Sequence, residues 1–365
     1  MQKRDRTVKI AKAAAGLLAA AAAVTALTYK EASYMIFKNL TAKKLKQDAA
    51  AEWSGGTVYE KIPYASDSES QYLDLYVPDA GKMSGEEGGS NKPRLFVLVH
   101  GGGFIAGDSQ TRQTVFMYQY FRDRGYACAT VNYRLAQEAP FPAGLEDVKA
   151  AVRYLESRAD EYGYDASRIA IWGESAGGYL ACAEAFTDET EFCGVRYIGQ
   201  DEDETAGRSF DGKADVLIDY YGAVDLGAIW TGSGDWKTLG VPQAVISVAN
   251  SWMDKKTLEG FSSVESYWLR KEFAKMSGEE KQRSDPHYYL EKNMGKTVSP
   301  AVMIVHGDCD ITVPYLQSQR LCDQLKCLPG GERTEFLLVS GAGHAADILY
   351  ADEILAQVDR FIREY

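Results

Sequence analysis

Alternating strand-like and helix-like segments across most of the 365 residues predict an α/β protein: a doubly wound, mostly parallel sheet with a helical cap insertion. Three observations carry that expectation. Short runs that are apolar at every position recur along the chain. Helix-periodic stretches separate them. One interval between two such runs is far longer than a crossover connection needs.

Taken in order, "GGTVYEKIPYA" and the alternating "QYLDLYV" (71–77) read as a β-hairpin, followed by a polar Gly/Glu/Ser loop at 80–92. The runs "LFVLV" (95–99), "ACATV" (127–131), "IAIW" (169–172), "VLI" (216–218), "AVMIV" (301–305) and "FLLV" (336–339) then follow. Strands covered by helices on both faces are apolar throughout, not alternating. "LEDVKAAVRYLESRADEYG" reads as helical, and in "ADEILAQVDRFIREY" the residues Ile354, Leu355, Val358, Phe361 and Ile362 line up as one apolar stripe. The long interval, rich in Trp230, Trp236, Trp252, Tyr267 and Trp268, is read as a cap over 226–299 at the carboxyl end of the sheet.

Ahead of this α/β domain (57–365), "MQKRDRTVK" is basic and "AAAGLLAAAAAVTAL" carries no charge. Residues 1–30 therefore read as an export signal or membrane anchor and 31–56 as a charged helical spacer. The expected location is exported or membrane-anchored. The alternative is an alanine-rich helix on a cytoplasmic protein. A net charge of −12, from 40 basic and 52 acidic residues, argues against a nucleic-acid partner. The six cysteines form no C-x-x-C pair, so neither a metal nor a cofactor is expected. Outside the cell Cys193, Cys309 or Cys322 could pair.

The chemistry centres on "GESAGG" (173–178). It follows an apolar strand and opens a helix-like run, the context in which a tight turn exposes a serine as nucleophile, here Ser175. "VHGGGFIAGD" (99–108) also follows a strand. Its glycines can present backbone N–H groups to an oxyanion, together with the N–H of Ala176. A serine hydroxyl needs a base, and the base a carboxylate. Of four histidines, His100 lies in the glycine loop and reads as structural, His287 in the cap, and His306 ahead of the acid loop. His344, in "SGAGH" after the last strand, is left as the base. In "VHGDCDITVP" both Asp308 and Asp310 are candidates for the acid.

Together "HGGGF", "NYRLAQEAPFPAGLEDVKAAVRYL", "GESAGG", "HGDCDITVP" and "GAGH" resemble the hormone-sensitive-lipase-like and bacterial feruloyl and acetyl-xylan-type serine esterases of the α/β-hydrolase superfamily. The resemblance implies Ser175 as nucleophile, Asp310 as acid, His344 as base, and Gly102, Gly103 and Ala176 as oxyanion donors. It also implies a helical cap where the long interval falls. Gln137 stands where this family usually has proline. The expected function is carboxylic-ester hydrolysis through an acyl-enzyme, on short-chain small-molecule or polysaccharide-linked esters. A prolyl-oligopeptidase-type serine peptidase shares the acid motif but carries a propeller domain, and a non-catalytic binding protein on the same fold is a further alternative.

Overall fold

The computed structural model describes residues 54–79, 92–229, 234–241, 258–293 and 300–365. The expected leader at 1–30, most of the spacer and of the polar loop, and Trp230 and Trp252 lie outside the described residues. The strands are β1 (Gly56–Pro63), β2 (Tyr72–Pro78), β3 (Arg94–Val99), β4 (Ala127–Val131), β5 (Asp165–Glu174), β6 (Val216–Tyr220), β7 (Ala301–Gly307) and β8 (Thr334–Val339). They form one sheet in the order β1-β2-β4-β3-β5-β6-β7-β8. β1 and β2 pair antiparallel, as the hairpin reading expects, and β2 pairs antiparallel with β4. All pairings from β4 to β8 are parallel. β1 opens at Gly56, so the last residue assigned to the spacer already belongs to the sheet.

The longer helices are α1 (Arg112–Arg122), α2 (Ala143–Ser157), α3 (Ala176–Phe186), α4 (Pro286–Asn293), α5 (Leu316–Lys326) and α6 (Asp352–Glu364). The continuous apolar strands need cover on both faces, and the packing supplies it. Leu95, Val97 and Val99 of β3 point into a core shared with α2, α3 and α5. Phe96 and Leu98 point into the other core, under α1 and α6. Every residue of α3 is buried, and the stripe read on the C-terminal helix, from Ile354 to Ile362, is the buried face of α6.

Between β6 and β7 the described residues form only short helices: Leu226–Ile229, Gly234–Thr238, Val264–Trp268, Gly278–Arg283 and α4. This helical layer is pinned to the sheet domain. Tyr179 of α3 donates to the carbonyl of Ser284 (2.9 Å), and Asn293 to that of Phe186 (2.9 Å). All six cysteines are free thiols, and Cys322 is buried on α5, so no disulfide joins the candidates named from the sequence. Among the described residues no helix is long and apolar enough to cross a membrane.

Candidate active site

Parallel strands deliver their following loops to one edge of the sheet, and here the loops after β3, β5, β7 and β8 converge. Ser175 occupies the single-residue bend between β5 and α3, with φ 53° and ψ −117°. A non-glycine residue there is strained, by about 1–3 kcal/mol. Surrounding hydrogen bonds hold it: its N–H donates to the Tyr220 carbonyl (2.9 Å), and its carbonyl accepts from Tyr179 and Ala223 (3.0 and 3.1 Å). The flanking glycines are required by contact. A Cβ on Gly173 would fall 2.1 Å from the carbonyl oxygen of Gly177, and a Cβ on Gly177 would fall 2.2 Å from that of Val99.

His344, in the loop after β8, places Nε2 3.0 Å from Ser175 Oγ and Nδ1 2.7 Å from Asp310 Oδ2. Asp310 is buried, and its Oδ1 accepts from the N–H groups of Thr312 (2.8 Å) and Val313 (2.9 Å). Burial alone would push this carboxyl up. The neighbouring imidazoles of His344 and His306 outweigh it and hold Asp310 well below the usual carboxylate range. Asp308 points elsewhere, accepting from the N–H of Gly341 (2.7 Å) and the hydroxyl of Ser340 (3.1 Å). It ties the acid loop to the histidine loop without touching the imidazole.

Sequence reasoning passed over His306. Its Nε2 lies 3.3 Å from Asp310 Oδ2 and 3.0 Å from the Val313 carbonyl, both acceptors, so that nitrogen carries the proton. Nδ1 then accepts from the Ser318 hydroxyl (2.8 Å). Asp310 is thereby gripped from both sides. The remaining histidine, His287, pairs with Gln324 (2.6 Å) and links α4 to α5.

The glycine loop lies against the serine bend: a Cβ on Gly101 would sit 2.9 Å from the Glu174 carbonyl oxygen. Gly102, Gly103 and Phe104 have φ of 116°, 61° and 64°, and the first two do so without a Cβ penalty. His100 is buried and neutral, since burial pushes its imidazole down. It stacks on Tyr133 with centroids 4.4 Å apart, and its Nδ1 donates to Gly101 (2.7 Å). Gln137, in place of the family's proline, donates to the Ile105 carbonyl (2.7 Å), so the departure braces the glycine loop. Ala176 opens α3, where first-turn N–H groups have no partner within the helix.

Among the described residues, the helical layer between β6 and β7 meets this loop through Trp268. Trp268 stacks on Phe104 (3.9 Å between centroids, 5° between planes) and meets Phe141 and Tyr179 edge-on at 5.1 and 5.2 Å. Trp268 and Tyr267 are each 1% exposed; Trp268 joins this layer to the body, while Tyr267 packs on Phe261 and donates to Glu259 within the layer. A hydroxyl, an imidazole and a carboxylate in this line can perform nucleophilic acyl transfer. Among the described residues no group of three or more His, Cys, Asp or Glu side chains converges to hold a metal ion.

Comparison with known proteins places the chain in a family. A family model described as BD-FAE matches residues 73–325. Esterase LipC of Mycobacterium tuberculosis is 23% identical over 258 residues, covering 70% of this chain and 53% of LipC. The chain spans about half the length, or less, of the curated relatives it matches first. A truncated carbohydrate esterase from gut microbiota superimposes with a TM-score of 0.60 at 23% identity, over 86% of this chain and 97% of its own. Butyrate-bound Est2, an esterase from Thermogutta terrifontis, gives 0.57 at 22% identity, over 86% and 95%. These two likenesses establish a shared fold.

Proposed function

Because the chain belongs to the BD-FAE family, whose model spans residues 73–325, we propose that it is a carboxylic-ester hydrolase working through a covalent acyl-enzyme. One observation carries the reading: the strained Ser175 aligned with His344 at 3.0 Å, and His344 with the buried Asp310 at 2.7 Å. His344 Nε2 takes the proton of Ser175 Oγ as that oxygen attacks the acyl carbon. Asp310 keeps the proton on Nδ1 and stabilises the imidazolium. The N–H groups of Gly102, Gly103 and Ala176 receive the oxyanion of the tetrahedral intermediate. Collapse breaks the ester C–O bond, and His344 returns the proton to the leaving alcohol. Water, deprotonated by His344, then attacks the acyl-serine by the same path and restores Ser175.

The substrates we assign are short-chain acyl esters, free or attached to a polysaccharide. The aromatic junction of Phe104, Phe141 and Trp268 beside the glycine loop supports a confined acyl site. The butyrate held by Est2 and the carbohydrate esters implied for the gut enzyme fit that reading. The basic and then alanine-rich first 30 residues support export or membrane anchoring, which fractionation of cells making the full chain tests directly.

A fluorophosphonate should label Ser175, and Ser175→Ala should abolish both labelling and hydrolysis of p-nitrophenyl acetate, a loss on the order of 10⁴- to 10⁶-fold. Hydrolysis by Ser175→Ala within about tenfold of wild type would sink the assignment. Faster turnover of matched peptide amides than of esters would favour a peptidase.

A further inference from the structure

Directly behind the triad a buried polar cluster joins three loops that the chemistry needs in register. We propose that Glu174, Tyr221 and Tyr350 form a positioning strut that sets His344 against Ser175. The inference rests on reading those two residues as base and nucleophile.

Glu174 immediately precedes Ser175 and is 4% exposed. Its Oε2 accepts from the hydroxyl of Tyr221 and from that of Tyr350 (3.2 Å), and the two hydroxyls lie 2.5 Å apart. Tyr350 ends the short turn Asp347–Tyr350, downstream of His344 on the same loop. Tyr221 follows β6 with φ 42°, and its N–H donates to Val305 of β7 (2.8 Å). Its ring packs against the imidazole of His344, with centroids 4.8 Å apart and planes at 65°. On its other side Glu174 supports the glycine loop: a Cβ on Gly101 would lie 3.2 Å from Glu174 Cγ. One carboxylate thus touches the nucleophile's strand, the ring against the base, the histidine loop and the loop of the oxyanion donors.

A buried carboxylate costs free energy that an apolar side chain of similar volume would avoid. What it adds is direction, because hydrogen bonds fix separations that packing alone leaves loose. Both tyrosines remain donors at any working pH, since burial pushes their hydroxyls far above the usual phenol range. Ser175 and His344 are 169 residues apart in sequence, and the cluster is one bridge between the segments that carry them.

The test uses the full chain as wild type, Tyr221→Phe, Tyr350→Phe, the double variant, Glu174→Gln and Glu174→Leu. Turnover of p-nitrophenyl acetate and the rate of fluorophosphonate labelling are measured well below each melting temperature. Each Tyr→Phe change should lower kcat and the labelling rate about tenfold, with KM within about twofold. The double variant should lose little more than the worse single one, as expected of residues acting as a unit. Glu174→Gln, which keeps an acceptor oxygen, should retain more activity than Glu174→Leu. Wild-type kcat and labelling in both tyrosine variants, with only the melting temperature lowered, would overturn the strut while leaving the esterase reading intact. A wild-type protein that neither turns over nor labels overturns the esterase reading itself. Should the Glu174 variants fail to fold, Tyr350→Phe decides, since it removes a single hydroxyl.

Discussion

Asp308 and Asp310 are two residues apart on one loop, and only geometry separates their tasks. Asp310→Asn would turn an amide N–H₂ toward His344 Nδ1, where the imidazole now has a carboxylate to hold its tautomer. A loss of about 10⁴ in kcat is expected, with some fall in melting temperature because the ionised carboxylate also stabilises the fold. Asp308→Asn disturbs the bonds to Gly341, Ser340 and Cys309, away from the imidazole. It should leave kcat within about tenfold and mainly lower the melting temperature. Stopped-assay kinetics with thermal melts on both variants check the pair, and the opposite pattern refutes the assignment. Asp219 gives a second residue-scale expectation. Buried beneath α3, with Gly222 donating to Oδ1 (2.9 Å), its carboxyl is pushed up to about 7 by burial. An unfolded aspartate titrates near about 3.9. The raised folded value means that its stabilisation is full below that unfolded value and is lost as pH rises through 7. The slope is at most about 1.4 kcal/mol per pH unit. Asp310 runs the other way: its depressed carboxyl stabilises the fold above the unfolded value and loses that effect as pH falls through the folded one. Asp219→Asn should therefore gain most over wild type at pH 8 and least at pH 5, as melting curves would show. Equal shifts at both pH values would rule this out. At this scale Ser175 and His344 were legible because flanking glycines mark strained turns. The choice between Asp308 and Asp310 came only from resemblance to a family motif. Tyr221 and Tyr350 were illegible, since tyrosines in apolar surroundings read as core and their partner Glu174 is 47 and 176 residues away.

The element on which the site depends is α3, which meets its neighbours through backbone. Gly177 lets the helix touch the end of β3, where a methyl group would meet the Val99 and His100 carbonyl oxygens at 2.2 and 2.4 Å. Gly177→Ala should destabilise by at least roughly 1–3 kcal/mol and depress kcat, because the displaced helix carries both Ser175 and Ala176. A variant with unchanged melting temperature and turnover would show that the close approach is dispensable. The layer between β6 and β7 meets the glycine loop through Trp268. Trp268→Ala should raise KM and broaden the acyl-chain range, with a p-nitrophenyl ester series as the measurement, since Phe104 loses its stacking partner beside the glycine loop. The strands and the long helices were legible from periodicity, because burial on two faces leaves uninterrupted apolar runs. The helical layer between β6 and β7 was legible only as an interval of excess length. Its helices are too short to show a period, and nothing in the sequence marked Trp268 as the stacking partner of Phe104.

Over the whole molecule, the described residues form one eight-stranded sheet between two apolar cores. A chain lacking residues 1–30 is expected to remain soluble and to match the full chain in kcat, as gel filtration and turnover would establish. Aggregation of the shortened chain alone would assign that segment to the fold. The topology has a further consequence for synthesis. The serine is translated 169 residues before the histidine that deprotonates it, and β8, which brings that histidine into place, docks beside β7 at the sheet's edge. A growing chain on the ribosome therefore exposes Ser175 only as an ordinary alcohol. On the proposed mechanism, hydrolysis can begin only after β8 and the loop carrying His344 have joined the sheet.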